Sequence, residues 1–145
     1  MACCDIWTVF DEEHLRIKEY KYWILVLRNR NTTLGNCVAI TKRHLERLSE
    51  ITPEEMQEFQ HVVKDIEHAL KTAFHYDKIN YLMLMMKDKH THFHIIPRYQ
   101  TSRAFAGAEW KEDFTTLDPL LIKNNPLTTE ILLQVKEEII RQILA

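Results

Sequence analysis

Three histidines, His90, His92 and His94, occupy alternate positions in the stretch His90-Thr91-His92-Phe93-His94-Ile95-Ile96. Side chains on a β-strand alternate in direction, so these rings leave one face together, about 6.5 to 7 Å apart, while Thr91, Phe93 and Ile95 leave the other. An imidazole titrates near neutrality, at roughly 6.5 when unperturbed. A row of imidazoles therefore offers a neutral nucleophile beside protonated hydrogen-bond donors, a surface suited to phosphate. One histidine in an apolar strand is usually a satisfied core residue. Three sharing a face point instead to chemistry.

The middle ring is the candidate nucleophile, because only His92 has a like neighbour on each side. Attack by a ring nitrogen on phosphorus splits one hard displacement into two easier ones through a covalent phosphohistidine intermediate. His90 and His94, if protonated, would donate to non-bridging oxygens and to the departing group. Two other readings suit the same residues: a histidine-ligated zinc hydrolase, since His-x-His on a strand face is a workable chelate, and a nucleotide-binding module with little turnover.

The string HTHFHII resembles the signature of the histidine triad (HIT) superfamily of nucleotide hydrolases and transferases, His-x-His-x-His-x-x with x apolar, from which Thr91 departs. The resemblance runs over roughly residues 20 to 110 and is nearest the dinucleoside polyphosphate hydrolase-like branch, through Asn80-Tyr81, Pro97-Arg98-Tyr99 and the tail from Arg103 to Gly107 and Trp110 to Phe114. It implies a HIT-like α+β fold, a homodimer, His92 as nucleophile, and hydrolysis or transfer at the α-phosphate of an adenylated or dinucleoside polyphosphate substrate without a cofactor. Nucleotide contacts carry over to Asn29 or Asn31, near the family's ribose-holding position, and to His44, which matches a histidine some branches keep near the active site. By residue type alone His44 reads as a surface or helix-entry histidine. The family's Gly-Asn pair and proline before the triad are replaced here by Met85-Met86 and Lys89. Lys87 or Lys89 would have to supply the lost phosphate contact electrostatically. Some triad proteins bind zinc through two cysteines separated by two residues near the N-terminus. Cys3 and Cys4 are adjacent, so they read as ordinary thiols near a frayed end and no metal is expected.

The elements that must position these residues are legible from pattern. A first strand is expected over Leu15 to Lys21, and Tyr22 to Leu27 forms a second, apolar on both faces and so covered on both. Covering of this kind also suits the implied dimer. The turn-rich Asn29 to Asn36 reverses the chain into a strand at Cys37 to Ile40. Thr52-Pro53-Glu54-Glu55 reads as an N-cap, a proline at the first helical position and a capping box. The stripe of Met56, Phe59, Val62, Val63, Ile66, Ala69, Leu70, Ala73 and Phe74 then predicts a helix of about six turns on the sheet. His61, His68 and His75 fall on its solvated side or edge. Asn80 to Met86 reads as a strand with methionine core filler, and Lys87-Asp88-Lys89 as a tight turn into the triad. An irregular passage spans Thr115 to Asn125, and residues 128 to 144 form a closing amphipathic helix. The expected architecture is α+β, with about five antiparallel strands, one long helix across them and a C-terminal helix.

The chain of 145 residues, 46% hydrophobic and 28% charged with two glycines and four prolines, suits one globular domain with a self-sufficient core. A net charge of −2 excludes the broad basic field that grips duplex nucleic acid. Three cysteines without CxxC spacing, no signal-like N-terminus and no long apolar run lead to the expectation of a cytoplasmic protein with no membrane contact.

Overall fold

The computed structural model of the protein describes residues 4–117 and 127–144. Most of the passage expected to be irregular between Thr115 and Asn125, and Cys3, lie outside the described residues.

Two short helices, α1 (Ile6–Val9) and α2 (Glu12–Leu15), precede β1 (Arg16–Glu19), β2 (Trp23–Leu27) and β3 (Cys37–Thr41). Helix α3 (Pro53–Phe74), β4 (Lys78–Leu82) and β5 (His92–Arg98) follow, then the β6 (Arg103–Phe105) and β7 (Ala108–Trp110) hairpin and helix α4 (Thr129–Leu144). The five strands β1 to β5 pair antiparallel in the order β1-β2-β3-β5-β4. The expected α+β architecture is present, with α3 and α4 packed together on one face.

The start of α3 is as its sequence dictates. Thr52 accepts from the Glu55 backbone N–H at 3.1 Å and Glu55 accepts from the Thr52 backbone N–H at 2.9 Å. Val62, Ile66, Ala69, Leu70 and Phe74 are buried against Trp23, Leu25, Leu27, Ala39 and Ile95, while Met56, at the helix start, remains 40% exposed. His61, His68 and His75 are exposed.

Both faces of β2 and β3 are covered. On the face away from α3, Ile24, Val26, Val38 and Ile40 pack against Ile6 and Phe10 of the N-terminal segment. The apolar pattern that suited a second subunit is thus satisfied there by the chain itself.

The turn between β2 and β3 is fastened to its surroundings. Gly35 takes φ +87°, and Tyr99 Oη donates to the Leu34 carbonyl at 2.7 Å, while Trp110 Nε1 donates to the Asn31 carbonyl at 2.9 Å. Arg98, the middle residue of Pro97-Arg98-Tyr99, is buried against Glu112 at 2.5 Å and also reaches Asn80 Oδ1 and the carbonyls of Asp113 and Thr116.

The strand expected at Asn80 to Met86 ends at Leu82, and no tight turn at Lys87-Asp88-Lys89 leads into the triad. Residues 83–91 form a longer connection, with Leu84 46% and Met86 86% exposed, so the methionines do not all fill the core. Strand β4 is a sheet edge, and a strand paired on one side only lacks the second partner that would extend it. Among the described residues no helix is long and apolar enough to cross a membrane.

Candidate active site

His92 and His94 lie on β5, opposite Ile40 and Val38 of β3. Their alternation puts both rings on the face covered by the N-terminal segment, while Phe93 stacks toward Trp23 and Phe59 on the opposite face. The ring centroids of His92 and His94 are 5.3 Å apart, and Phe10 packs at 5.7 Å from the first and 5.9 Å from the second. Both histidines line a cleft of about 540 Å³ with Val9, Phe10, Arg28, Asn29, Arg30, Leu84, Met86, Lys87 and Asp88.

His90 departs from the expected row. It precedes β5 and stands in a neighbouring cleft of about 230 Å³ with Cys4, His44 and Lys89. A carbonyl can only accept, so His90 Nε2 carries the hydrogen it donates to the Thr41 carbonyl at 2.5 Å. Its Nδ1 then accepts from Cys4 Sγ at 3.3 Å. Trp7 packs edge-on against the His90 ring at 5.5 Å and His44 at 5.0 Å.

The same logic orients His92. Its Nδ1 donates to the His90 carbonyl at 2.7 Å, so in the neutral tautomer Nε2 is the nitrogen that carries the lone pair. Burial, reinforced by Arg28 and His92, pushes His94 down to about 3. Burial also pushes His90 below its ordinary value, with His44 and His92 adding to the effect. In the free protein the flanking rings are therefore neutral at pH 7, not the protonated donors expected from an unperturbed imidazole.

The predicted nucleotide contacts divide. Asn29 lines the larger cleft, although its amide already donates to the Val9 carbonyl at 2.9 Å. Asn31 does not line it. Asn31 is 4% exposed and closes the β2–β3 turn, donating to the Arg28 and Asn36 carbonyls and accepting from the Gly35 N–H. A shared loop supplied its residue type, but the amide is consumed locally. His44 and Lys89 lie at the smaller cleft with His90, away from His92 and His94. His44 Nε2 also meets Glu46 at 2.8 Å.

Sequence reasoning missed Cys4, Phe10 and Arg28. The signal for Arg28 was present, since it continues the alternation of Ile24 and Val26. Cys4 was weighed for zinc only beside Cys3, and no spacing links it to a ring 86 residues away. Cys4, His44 and His90 bring their ligating atoms within 4.8 Å of one another, and a thiolate with two imidazoles fits three of the four positions zinc takes. These are the donors that converge among the described residues, and they differ from the His90-His92-His94 chelate considered from sequence.

The HIT domain family matches residues 11–101, well over half of the chain. This chain belongs to the HIT family. The HIT relative called protein hit, from Bacillus subtilis, is 29% identical over 121 residues, which cover 80% of this chain and 77% of the relative. Among solved structures, a hypothetical histidine triad nucleotide-binding protein of Sulfolobus tokodaii superposes with a TM-score of 0.69 at 20% identity, covering 97% of this chain and 92% of that one. The Plasmodium falciparum diadenosine triphosphate hydrolase, solved with cyclomarin A, gives a TM-score of 0.67 at 14% identity over 91% of this chain and 78% of that one. At these identities the structural likenesses show the HIT fold.

Proposed function

We propose that this HIT protein is a nucleotide hydrolase or nucleotidyl transferase that acts at the α-phosphate of an adenylated or dinucleoside polyphosphate substrate. The observation that carries the reading is the hydrogen bond from His92 Nδ1 to the His90 carbonyl, which reserves Nε2 as a nucleophile beside an open cleft.

In the first step the Nε2–P bond forms as the bond from phosphorus to the leaving oxygen or nitrogen breaks. An anionic phosphate in the cleft opposes the burial and the Arg28 charge that keep His94 neutral, so His94 takes up a proton on substrate binding and passes it to the leaving group. His90 is engaged on both ring nitrogens and serves to position His92 through its carbonyl. In the second step water attacks phosphorus, His94 accepts its proton, the P–N bond breaks and a nucleoside monophosphate leaves. Asn29 and Lys87 are the proposed lateral contacts to the nucleotide. A second copy of the chain is the proposed partner, the cytoplasm the proposed location, and 1–145 the proposed single domain.

If zinc is bound, Cys4, His44 and His90 would hold it, and it would crosslink the N-terminal segment to the start of the triad. The test of the main reading is a panel of adenylated substrates, including a phosphoramidate and dinucleoside polyphosphates, with product identification and acid-labile trapping of nucleotidyl-His92. Turnover with a trapped adduct supports the reading. Binding of adenosine monophosphate without turnover of any member selects the binding module.

A further inference from the structure

The cleft that holds His92 and His94 contains a second feature suited to an anion. Arg28 follows β2 directly, and its backbone N–H still pairs with the Asn36 carbonyl at 2.9 Å. It therefore continues the face of Ile24 and Val26. Across the sheet, Ile24 is level with Ile40 and His92, and Val26 with Val38 and His94. Arg28 stands one row further along the same line, so the order on this face is His92, His94, Arg28.

No carboxylate among the described residues answers its charge. The charged group that acts on Arg28 is a second cation, Arg30, and both line the cleft. Arg28 Nη1 donates to the Arg30 carbonyl at 3.2 Å, while Arg28 Nε is buried without a hydrogen-bond partner. A part-buried guanidinium with an unused donor beside a second arginine is unfavourable on its own. Both costs are offset when a phosphate accepts from the planar fork. The turn that carries the pair is held by Tyr99 and Trp110, so the position is set before a ligand arrives.

We propose that Arg28, assisted by Arg30, forms a second anion subsite, which holds a phosphate group of the substrate other than the one His92 attacks. The inference rests on the proposed phosphate chemistry at His92 and narrows it to nucleotides with an additional phosphate. That phosphate comes either from a monoester on the ribose or from further along a polyphosphate chain.

Equilibrium binding separates this proposal from turnover. Calorimetry on the full chain would compare adenosine monophosphate with adenosine 2′,5′-bisphosphate, adenosine 3′,5′-bisphosphate and adenosine diphosphate, using His92→Asn so that no ligand is consumed. The expected result is binding at least about tenfold tighter for one class of doubly phosphorylated ligand, a charge-assisted contact being of that order. Preference for a bisphosphate identifies the ribose as the source, and preference for the diphosphate identifies the chain. Arg28→Gln should reduce the advantage to less than about twofold, and Arg28→Lys should retain part of it. Comparing ligands on one variant makes the ratio independent of that variant's stability. Equal affinity for all four ligands, an advantage that survives Arg28→Gln, or no binding at all would overturn the subsite. Failure of the nucleophile reading would appear separately, as turnover retained by His92→Asn.

Discussion

His92 and His90 are joined by a bond that uses the side chain of one and the main chain of the other, Nδ1 to carbonyl oxygen at 2.7 Å. The contact spans two residues, so the first histidine of the triad can orient the second whatever its own ring is doing. In this chain the His90 ring is turned to Thr41 and Cys4.

Replacement of His92 is expected to abolish turnover without unfolding the protein. His92→Ala and His92→Asn should lower kcat by at least about a hundredfold, the scale of losing a nucleophile. Their melting temperatures should stay near that of the parent. More than a few per cent residual activity in a purified, folded variant would rule out nucleophilic catalysis at this position.

His94 should make stability fall on acidification. Its folded-state value lies near 3, below the ordinary 6.5, because burial and Arg28 disfavour the charged ring. The unfolded chain then binds more protons between those two limits, so stability present above pH 6.5 is lost progressively as pH falls toward 3. Between pH 7 and pH 5 the loss from this group is roughly 2 kcal/mol. Denaturant titrations of the parent and of His94→Asn should diverge over that interval, and parallel curves would contradict the assignment.

Arg98 and Glu112 should be structural. Both side chains are almost fully buried, with 5% and 4% exposure. Arg98→Ala leaves Glu112 as an uncompensated buried charge, for a cost of about 3 to 5 kcal/mol in chemical denaturation. A cost below 1 kcal/mol, on the scale of an exposed pair, would refute this role.

Gly35→Ala tests the β2–β3 turn. A Cβ there would lie 2.6 Å from Leu70 Cδ2 of α3, and the backbone is already in the left-handed region at φ +87°. Overpacking and backbone strain together should cost about 1 to 3 kcal/mol. Because this turn carries Arg28 and Arg30, affinity for a doubly phosphorylated nucleotide should fall as well.

If the protein takes up added zinc, Cys4, His44 and His90 should hold it, and Cys4→Ser should weaken that binding at least about tenfold. His92→Asn should keep the metal. Loss of zinc in His92→Asn but not in Cys4→Ser would restore the rival site on the strand histidines.

Local pattern carried much of this protein. The capping box at Thr52 and Glu55 and the stripe from Val62 to Phe74 specify α3, because hydrogen bonds and side-chain neighbours in a helix lie three or four residues apart. Strict alternation likewise placed His92 and His94 opposite Phe93. Asn31 shows the limit of residue type, since an amide suited to ribose is consumed within its own turn.

What the order of residues established was which faces exist: a helix stripe, doubly covered strands and a triad face with alternating rings. Tertiary structure alone decided what meets those faces. It brought Cys4 to His90, set Phe10 against His92 and His94 and left His90 before the strand. Such contacts join residues tens of positions apart and depend on how the sheet twists and which segment covers it, which no spacing between near neighbours records.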